Sequence, residues 1–149
     1  MATIHAYLKL SGNTEEAFTF YKSVFNGEFL ALIRYKDNPQ ATSELSDSDK
    51  EKVFFIALTV GHGTTIMATD VVGPDKNTLR MGNNSYVYIG ADTQEEGERI
   101  FKKLAEGGKV ETPFSQTGWG AHFGVLKDKF GVPWMVNFQE ELGPLSRRP

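Results

Sequence analysis

Of the three histidines in this 149-residue chain, His5 and His122 fall in stretches that read as strands. Imidazole suits Zn, Ni or Fe, so these two, joined by Asp70 or a backbone carbonyl, would make an improvised metal site. The plainer reading of His5 is a half-exposed strand histidine. His122 follows Trp119-Gly120-Ala121, and a glycine-rich loop lets a ligand approach the backbone closely. His122 could therefore donate to an anionic ligand, or simply bond a backbone carbonyl. Asp70 ends a strand. Partly buried it would serve as a base, because burial raises a carboxyl pKa; otherwise it caps a turn. His62 lies in a tight turn and reads as solvated. With no Cys, thiolate metal sites, disulfides and Cys nucleophiles are excluded. No phosphate-binding glycine loop, dinucleotide fingerprint, nucleophile elbow or Ser-His-Asp set is present.

The elements that must position these residues come in two similar copies, about 80 residues apart. Leu8-Lys9-Leu10-Ser11-Gly12-Asn13-Thr14-Glu15-Glu16-Ala17 is echoed by Tyr88-Ile89-Gly90-Ala91-Asp92-Thr93-Gln94-Glu95-Glu96-Gly97. Each copy reads as a strand, a polar cap and an amphipathic helix ending at glycine. Asn13 with Glu16, and Thr93 with Glu96, have capping-box spacing. Ala17, Phe18, Tyr21, Val24 and Phe25 share one helix face, and Gly97, Ile100, Phe101, Leu104 and Ala105 repeat the stripe. Strands are expected over 4–10, 28–35, 53–60 and 64–70, then over 85–89, 109–112, 121–127 and 134–138. Residues 36–51 read as an exposed polar loop, 113–120 as a loop carrying Trp119, and 140–149 as a frayed tail. One helix per half followed by three strands argues for α+β rather than a doubly wound parallel sheet. The organisation expected is one domain, with module one at about 1–70, a connector over 71–83, and module two at about 84–139.

Bulk properties narrow the partners. The net charge is −3, with no block of Lys or Arg, so nucleic acid is not an expected partner. No apolar run approaches the ~20 residues of a membrane span, and no signal segment is visible, which points to a cytoplasmic setting. Apolar residues are 40% of the chain and include 11 Phe, 5 Tyr and 2 Trp, enough to line a core or a pocket with aromatic surface.

Three blocks carry a family resemblance: Tyr7-Leu8-Lys9-Leu10-Ser11-Gly12-Asn13 with Ala17 and Phe20-Tyr21; Met67-Ala68-Thr69-Asp70; and Trp119-Gly120-Ala121-His122 with Asp128-Lys129-Phe130-Gly131-Val132-Pro133-Trp134-Met135. The pattern resembles the vicinal oxygen chelate superfamily of glyoxalase I, extradiol dioxygenases and bleomycin and fosfomycin resistance proteins, and more narrowly its PhnB-like branch. The resemblance implies two βαβββ modules curling into a half-open mixed sheet around a cavity, and a homodimer. In metal-dependent members a divalent ion is held by His or Gln on a module's first strand and Glu on its last. Carried over, those positions fall on His5, Ser85, Met67 and Met135, so only His5 is a plausible ligand. A thioether does not replace a hard carboxylate.

The expected function is therefore a small-molecule-binding protein with an apolar-aromatic cavity and a degenerate metal quartet. The cavity is expected to use His5, Tyr7, Met67, Asp70, Ser85, Trp119, His122 and Met135. Met67 and Met135, each four residues past a glycine, would give it an adaptable apolar floor. Trp134 reads as core, whereas Trp119 suits a lid or a dimer contact as well as the core. The alternative is a divalent-metal lyase, isomerase or dioxygenase-like enzyme rebuilt on His5 and His122; no other cofactor is implied. PhnB-like sequences often carry a demethylubiquinone methyltransferase label, but this sequence lacks a βαβ opening with a glycine-rich turn, so methyl transfer is not expected.

Overall fold

A computed structural model describes residues 1–38, 40 and 44–139. The tail expected over 140–149 and four residues of the expected loop, 39 and 41–43, lie outside the described residues. The chain divides into two compact units, Met1–Arg80 and Met81–Pro149.

The first unit runs β1 (Ala6–Leu10), α1 (Thr14–Phe25), β2 (Phe29–Arg34), a one-turn helix α2 (Asp47–Lys50), β3 (Val53–Gly61) and β4 (Thr64–Asp70). Its sheet has the order β1-β4-β3-β2, with β1 parallel to β4 and the other pairs antiparallel. The second unit runs β5 (Val87–Gly90), α3 (Gln94–Ala105), β6 (Lys109–Gln116), β7 (Ala121–Lys127) and β8 (Pro133–Gln139). Its sheet repeats the topology as β5-β8-β7-β6. Both units are thus βαβββ, and the chain is α+β, as the sequence led us to expect.

In each unit the helix covers one face of the sheet. α1 buries Ala17, Phe18, Tyr21, Val24 and Phe25, and burial of side chains such as Phe18 and Val24 contributes ~1.5–3 kcal/mol each. Glu15 and Glu16 lie in its first turn and Lys22 in its last, matching the helix dipole. Asn26 ends it in the left-handed conformation at φ 53°. α3 buries Gly97, Ile100, Phe101 and Leu104. Gly124 on β7 lets this layer close, because a Cβ there would lie 2.6 Å from the Phe101 ring and 2.9 Å from the Phe114 backbone.

Three local details differ from expectation. The Asn13–Glu16 capping box does not form, since Asn13 makes no side-chain cap bond. The start of α1 is instead held by Asp70, whose Oδ1 accepts the backbone N–H groups of Gly12 and Thr14 at 3.0 Å each. The Thr93 cap does form: Thr93 accepts the Glu96 N–H at 3.1 Å, and Glu96 reaches back to the Asp92 N–H at 2.8 Å. Secondly, the acidic stretch after residue 43 is not simply solvated. α2 buries Asp49, which accepts from Gly73 N–H at 3.2 Å and pairs with Lys76 Nζ at 3.0 Å. Thirdly, β6 continues to Gln116 instead of stopping at Thr112. A register shift between Thr112 and Ser115 spans Pro113, which has no N–H to offer a ladder.

The turn after β7 is built by Asp128. Its Oδ1 accepts Phe130 and Val132 N–H at 2.8 and 3.0 Å, and its Oδ2 accepts the Trp134 indole N–H at 2.8 Å. Trp134 is buried core, as expected.

Candidate functional site

Side chains alternate across a strand, so the pairing registers sort every strand residue onto the helix-covered or the open face. In the first unit, Ile56, Leu58, Ile66, Ala68 and Asp70 are buried on the helix side. The open face receives Tyr7 and Lys9 from β1, paired with Met67 and Thr69 of β4. It receives Phe55 and Ala57 from β3, with Ala31 and Ile33 of β2 beside them. The Tyr7 and Phe55 rings stack across it, centroids 6.4 Å apart at 27°. Tyr7 is 49% exposed, so the patch faces outwards.

His5 joins this face just before β1. Its Nδ1 accepts the Thr65 backbone N–H at 3.3 Å and lies 3.1 Å from the Thr65 hydroxyl. An acceptor Nδ1 puts the proton of a neutral imidazole on Nε2. A histidine that binds metal through Nε2 donates its Nδ1–H to an acceptor, and the Thr65 amide is a donor. The half-buried Met67 offers only a thioether. Among the described residues no three His, Asp or Glu side chains converge as a metal site. The donor set present therefore does not fit the divalent ion that the fold family implies.

The second unit repeats the design with different polar groups. Tyr88 stands opposite Met135 on parallel strands, as Tyr7 stands opposite Met67. Two residues back from each tyrosine, the counterpart of His5 is Tyr86. Ser85, assigned that position from the sequence, is one residue out of step and exposed. The physical reason is a shorter link: Ser11 and Gly12 separate Leu10 from the residue before α1, whereas Asp92 alone separates Ala91 from Thr93. Matching the helices therefore misaligns the first strands by one residue. Asn137 Nδ2 donates to the Tyr88 hydroxyl at 3.0 Å on this open face. Tyr88 is 60% exposed.

The remaining expected residues lie elsewhere. Asp70 is 1% exposed, and its Oδ2 accepts Val53 N–H at 2.9 Å. With both oxygens bound to backbone, it ties the start of α1 to the start of β3. His122 lies on the helix side of its sheet, between Phe114 and Phe138 at ring-centroid distances of 6.0 and 6.4 Å. Among the described residues its buried Nδ1 has no hydrogen-bond partner. Met135 is on the opposite face, so the second unit does not bring these two together. Trp119 is 65% exposed at the β6–β7 turn, which the Thr117 N–H closes onto the Ala121 carbonyl at 2.7 Å.

A polar hollow of about 490 Å³ beside α1 is lined by Glu15, Arg34, Glu51 and Lys52 among others. Its charged side chains are already engaged, Glu51 by Lys36 at 3.0 Å. Arg34 grips both Glu15 carboxylate oxygens at 2.8–2.9 Å, and Lys52 Nζ donates to the Gly12 carbonyl at 2.9 Å. The Arg34 hydrogen bond holds the Glu15 carboxyl below its ordinary range. This is a brace, and it leaves the two open faces as the candidate site.

The paired four-stranded βαβββ units define the class. The fold is that of a glyoxylase/bleomycin resistance protein/dioxygenase domain from Frankia sp. EAN1pec, with a TM-score of 0.65 over 94% of this chain and 98% of that one at 11% identity. Within that class, the chain belongs to the family described as 3-demethylubiquinone-9 3-methyltransferase, whose model matches residues 2–137. Protein YjdN of Escherichia coli K12 is 31% identical over 134 residues, covering 88% of this chain and 91% of YjdN. The crystal structure of PA1353 from Pseudomonas aeruginosa aligns with a TM-score of 0.80 at 34% identity, over 95% of this chain and all of that one. A putative 3-demethylubiquinone-9 3-methyltransferase, PhnB protein, from Bacillus cereus gives 0.73 at 27% identity, over 92% and 99%. The chain is thus a member of that family, similar to PhnB, with the fold of a glyoxylase/bleomycin resistance protein/dioxygenase domain. No described helix is long and apolar enough to cross a membrane.

Proposed function

We propose that this protein binds an apolar small molecule against the open faces of its sheets, in a cavity of the half-open kind its superfamily forms, and does so without a metal ion. The observation that carries this is the duplicated pair Tyr7–Met67 and Tyr88–Met135. Aromatic rings and flexible thioethers stand together where a metal-dependent relative would need hard ligands. Pockets of this kind are mostly apolar with a few placed polar groups. His5, Tyr86 and the Asn137 amide are the polar groups available.

A homodimer acting in the cytoplasm is part of this reading. The exposure of Tyr7, Tyr88 and Trp119 supports it, since large apolar side chains left open commonly mark an interface or a ligand site. Methyl transfer is not part of it. Among the described residues only β1–β4 and β5–β8 pair in parallel, and the link from β1 to α1 carries a single glycine, Gly12, and that from β5 to α3 none, in place of the glycine-rich turn that cradles a nucleotide-like cofactor.

The test is a thermal-shift screen of the dimer-sized fraction with a panel of apolar small molecules, repeated with Met67→Glu and Met135→Glu. Concentration-dependent stabilisation that either carboxylate abolishes supports the reading. Stabilisation by S-adenosylmethionine, with none by any apolar compound, overturns it.

A further inference from the structure

The two open faces are not equivalent in charge. In the first unit no Asp or Glu occupies the open-face strand positions, although the chain carries 19 acidic residues. Lys9 does occupy one, two residues along β1 from Tyr7 and opposite Thr69. Among the described residues the Lys9 side chain has no ion pair or hydrogen bond. Beyond it opens a hollow of about 470 Å³ that also takes in Arg80 and Asp75, two cations to one free carboxylate. Asp70 borders the hollow too, but both its oxygens are held by backbone N–H groups. Arg80 is fixed there by its bonds to the Asn77 and Leu79 carbonyls at 3.2 and 3.3 Å. At the other end of Tyr7, His5 is left with a protonated Nε2, a donor. By the same register the second unit has Gly90 where the first has Lys9.

We infer that the open face of the first unit selects an amphiphilic organic anion, its apolar body on Tyr7, Phe55 and Met67 and its anionic group towards Lys9 and Arg80. His5 serves as a hydrogen-bond donor to an oxygen at the far end of that body and not as a metal ligand. Lys9 lies four residue steps beyond His5, ~13 Å of extended chain, which suits a molecule of two or three fused or linked rings. The inference rests on the apolar-pocket reading above and adds the charge of the ligand to it.

The experiment uses two fluorescent probes that share one skeleton: 1-anilinonaphthalene-8-sulfonate, an anion, and the neutral N-phenyl-1-naphthylamine. Each is titrated into the full-length protein, with circular dichroism confirming that every variant is folded. The sulfonate is expected to bind more tightly than the neutral probe. Lys9→Met is expected to weaken the sulfonate about three- to fivefold, the range for a partly solvated ion pair, and to leave the neutral probe unchanged. Raising salt from about 0.05 M to about 0.5 M should weaken only the sulfonate. Tyr7→Ala should weaken both. Equal affinities, or a sulfonate affinity indifferent to Lys9→Met, would overturn the inference and leave the apolar pocket standing. Binding of both probes that ignores Tyr7→Ala would place them off this face and overturn it as well. Saturable binding of neither would overturn the pocket reading along with it.

Discussion

The Thr65 backbone N–H donates to His5 Nδ1 at 3.3 Å, and this contact fixes which imidazole nitrogen keeps its proton. Of the four metal-ligand positions the resemblance implies, only the one on His5 carries a plausible ligand, yet its surroundings prepare it to donate. After incubation with Zn or Ni and exhaustive dialysis, untagged wild-type protein and His5→Ala should hold the same, well under stoichiometric, amount of metal by plasma mass spectrometry. A stoichiometric content that His5→Ala removes would show that His5 turns over and ligates.

Asp70 reads from the sequence as a possible base and from the structure as a clamp. Three backbone N–H groups from two segments end on its two oxygens. Asp70→Ala should cost about 2–4 kcal/mol in urea unfolding, since it strands buried donors. Asp70→Asn keeps one acceptor and should cost roughly half as much. Ligand affinity per folded molecule should be unchanged in Asp70→Asn. A variant of full stability with ligand binding lost would return Asp70 to the site.

The pH dependence follows from Asp49. The Lys76 ammonium, above all, together with the Gly73 N–H and Ser46, holds its carboxyl below the ordinary value, against the opposing effect of burial. A carboxylate depressed on folding stabilises the native state above its unfolded pKa of about 3.9. That stabilisation is lost as pH falls from there through the lower native value. Chemical denaturation between pH 7 and pH 2 should show stability falling on the acid side, and Asp49→Asn or Lys76→Met should flatten that limb. An acid limb unaltered by either substitution would mean that the bridge between α2 and the segment after β4 adds nothing in solution.

Much of the architecture was legible because each unit announces itself locally. The stripe from Ala17 to Phe25, the stop at Asn26-Gly27 and the run 53–70 with its Gly61-His62-Gly63 turn each have a single economical reading. What misled was long-range. Asn13 has the spacing of a cap, but the carboxylate that does the work arrives from Asp70 at the far end of the module. Pro113 looked like the end of a strand, and the bulge that carries β6 past it depends on pairing with β7. Met67 and Met135 were singled out by their matching positions four past a glycine, and Tyr7 by the resemblance block it opens; the registers put all three on the open faces. Ser85 was chosen over Tyr86 because the helices match one residue out of step with the strands. Lys9 drew no attention in the sequence; what singles it out is an open-face position on a sheet face without carboxylates. His122 drew attention by its glycine-rich approach, but the parity of β7 turns it towards α3.

The central claim is that the open faces carrying Met67 and Met135 bind ligand, and the chain has four methionines: Met1, Met67, Met81 and Met135. With ¹³C-methyl-labelled methionine, each gives one assignable methyl signal in a two-dimensional NMR spectrum. Titration with N-phenyl-1-naphthylamine should move the Met67 and Met135 signals saturably while Met1 and Met81 stay in place. Saturable binding that leaves both Met67 and Met135 unmoved would contradict the account.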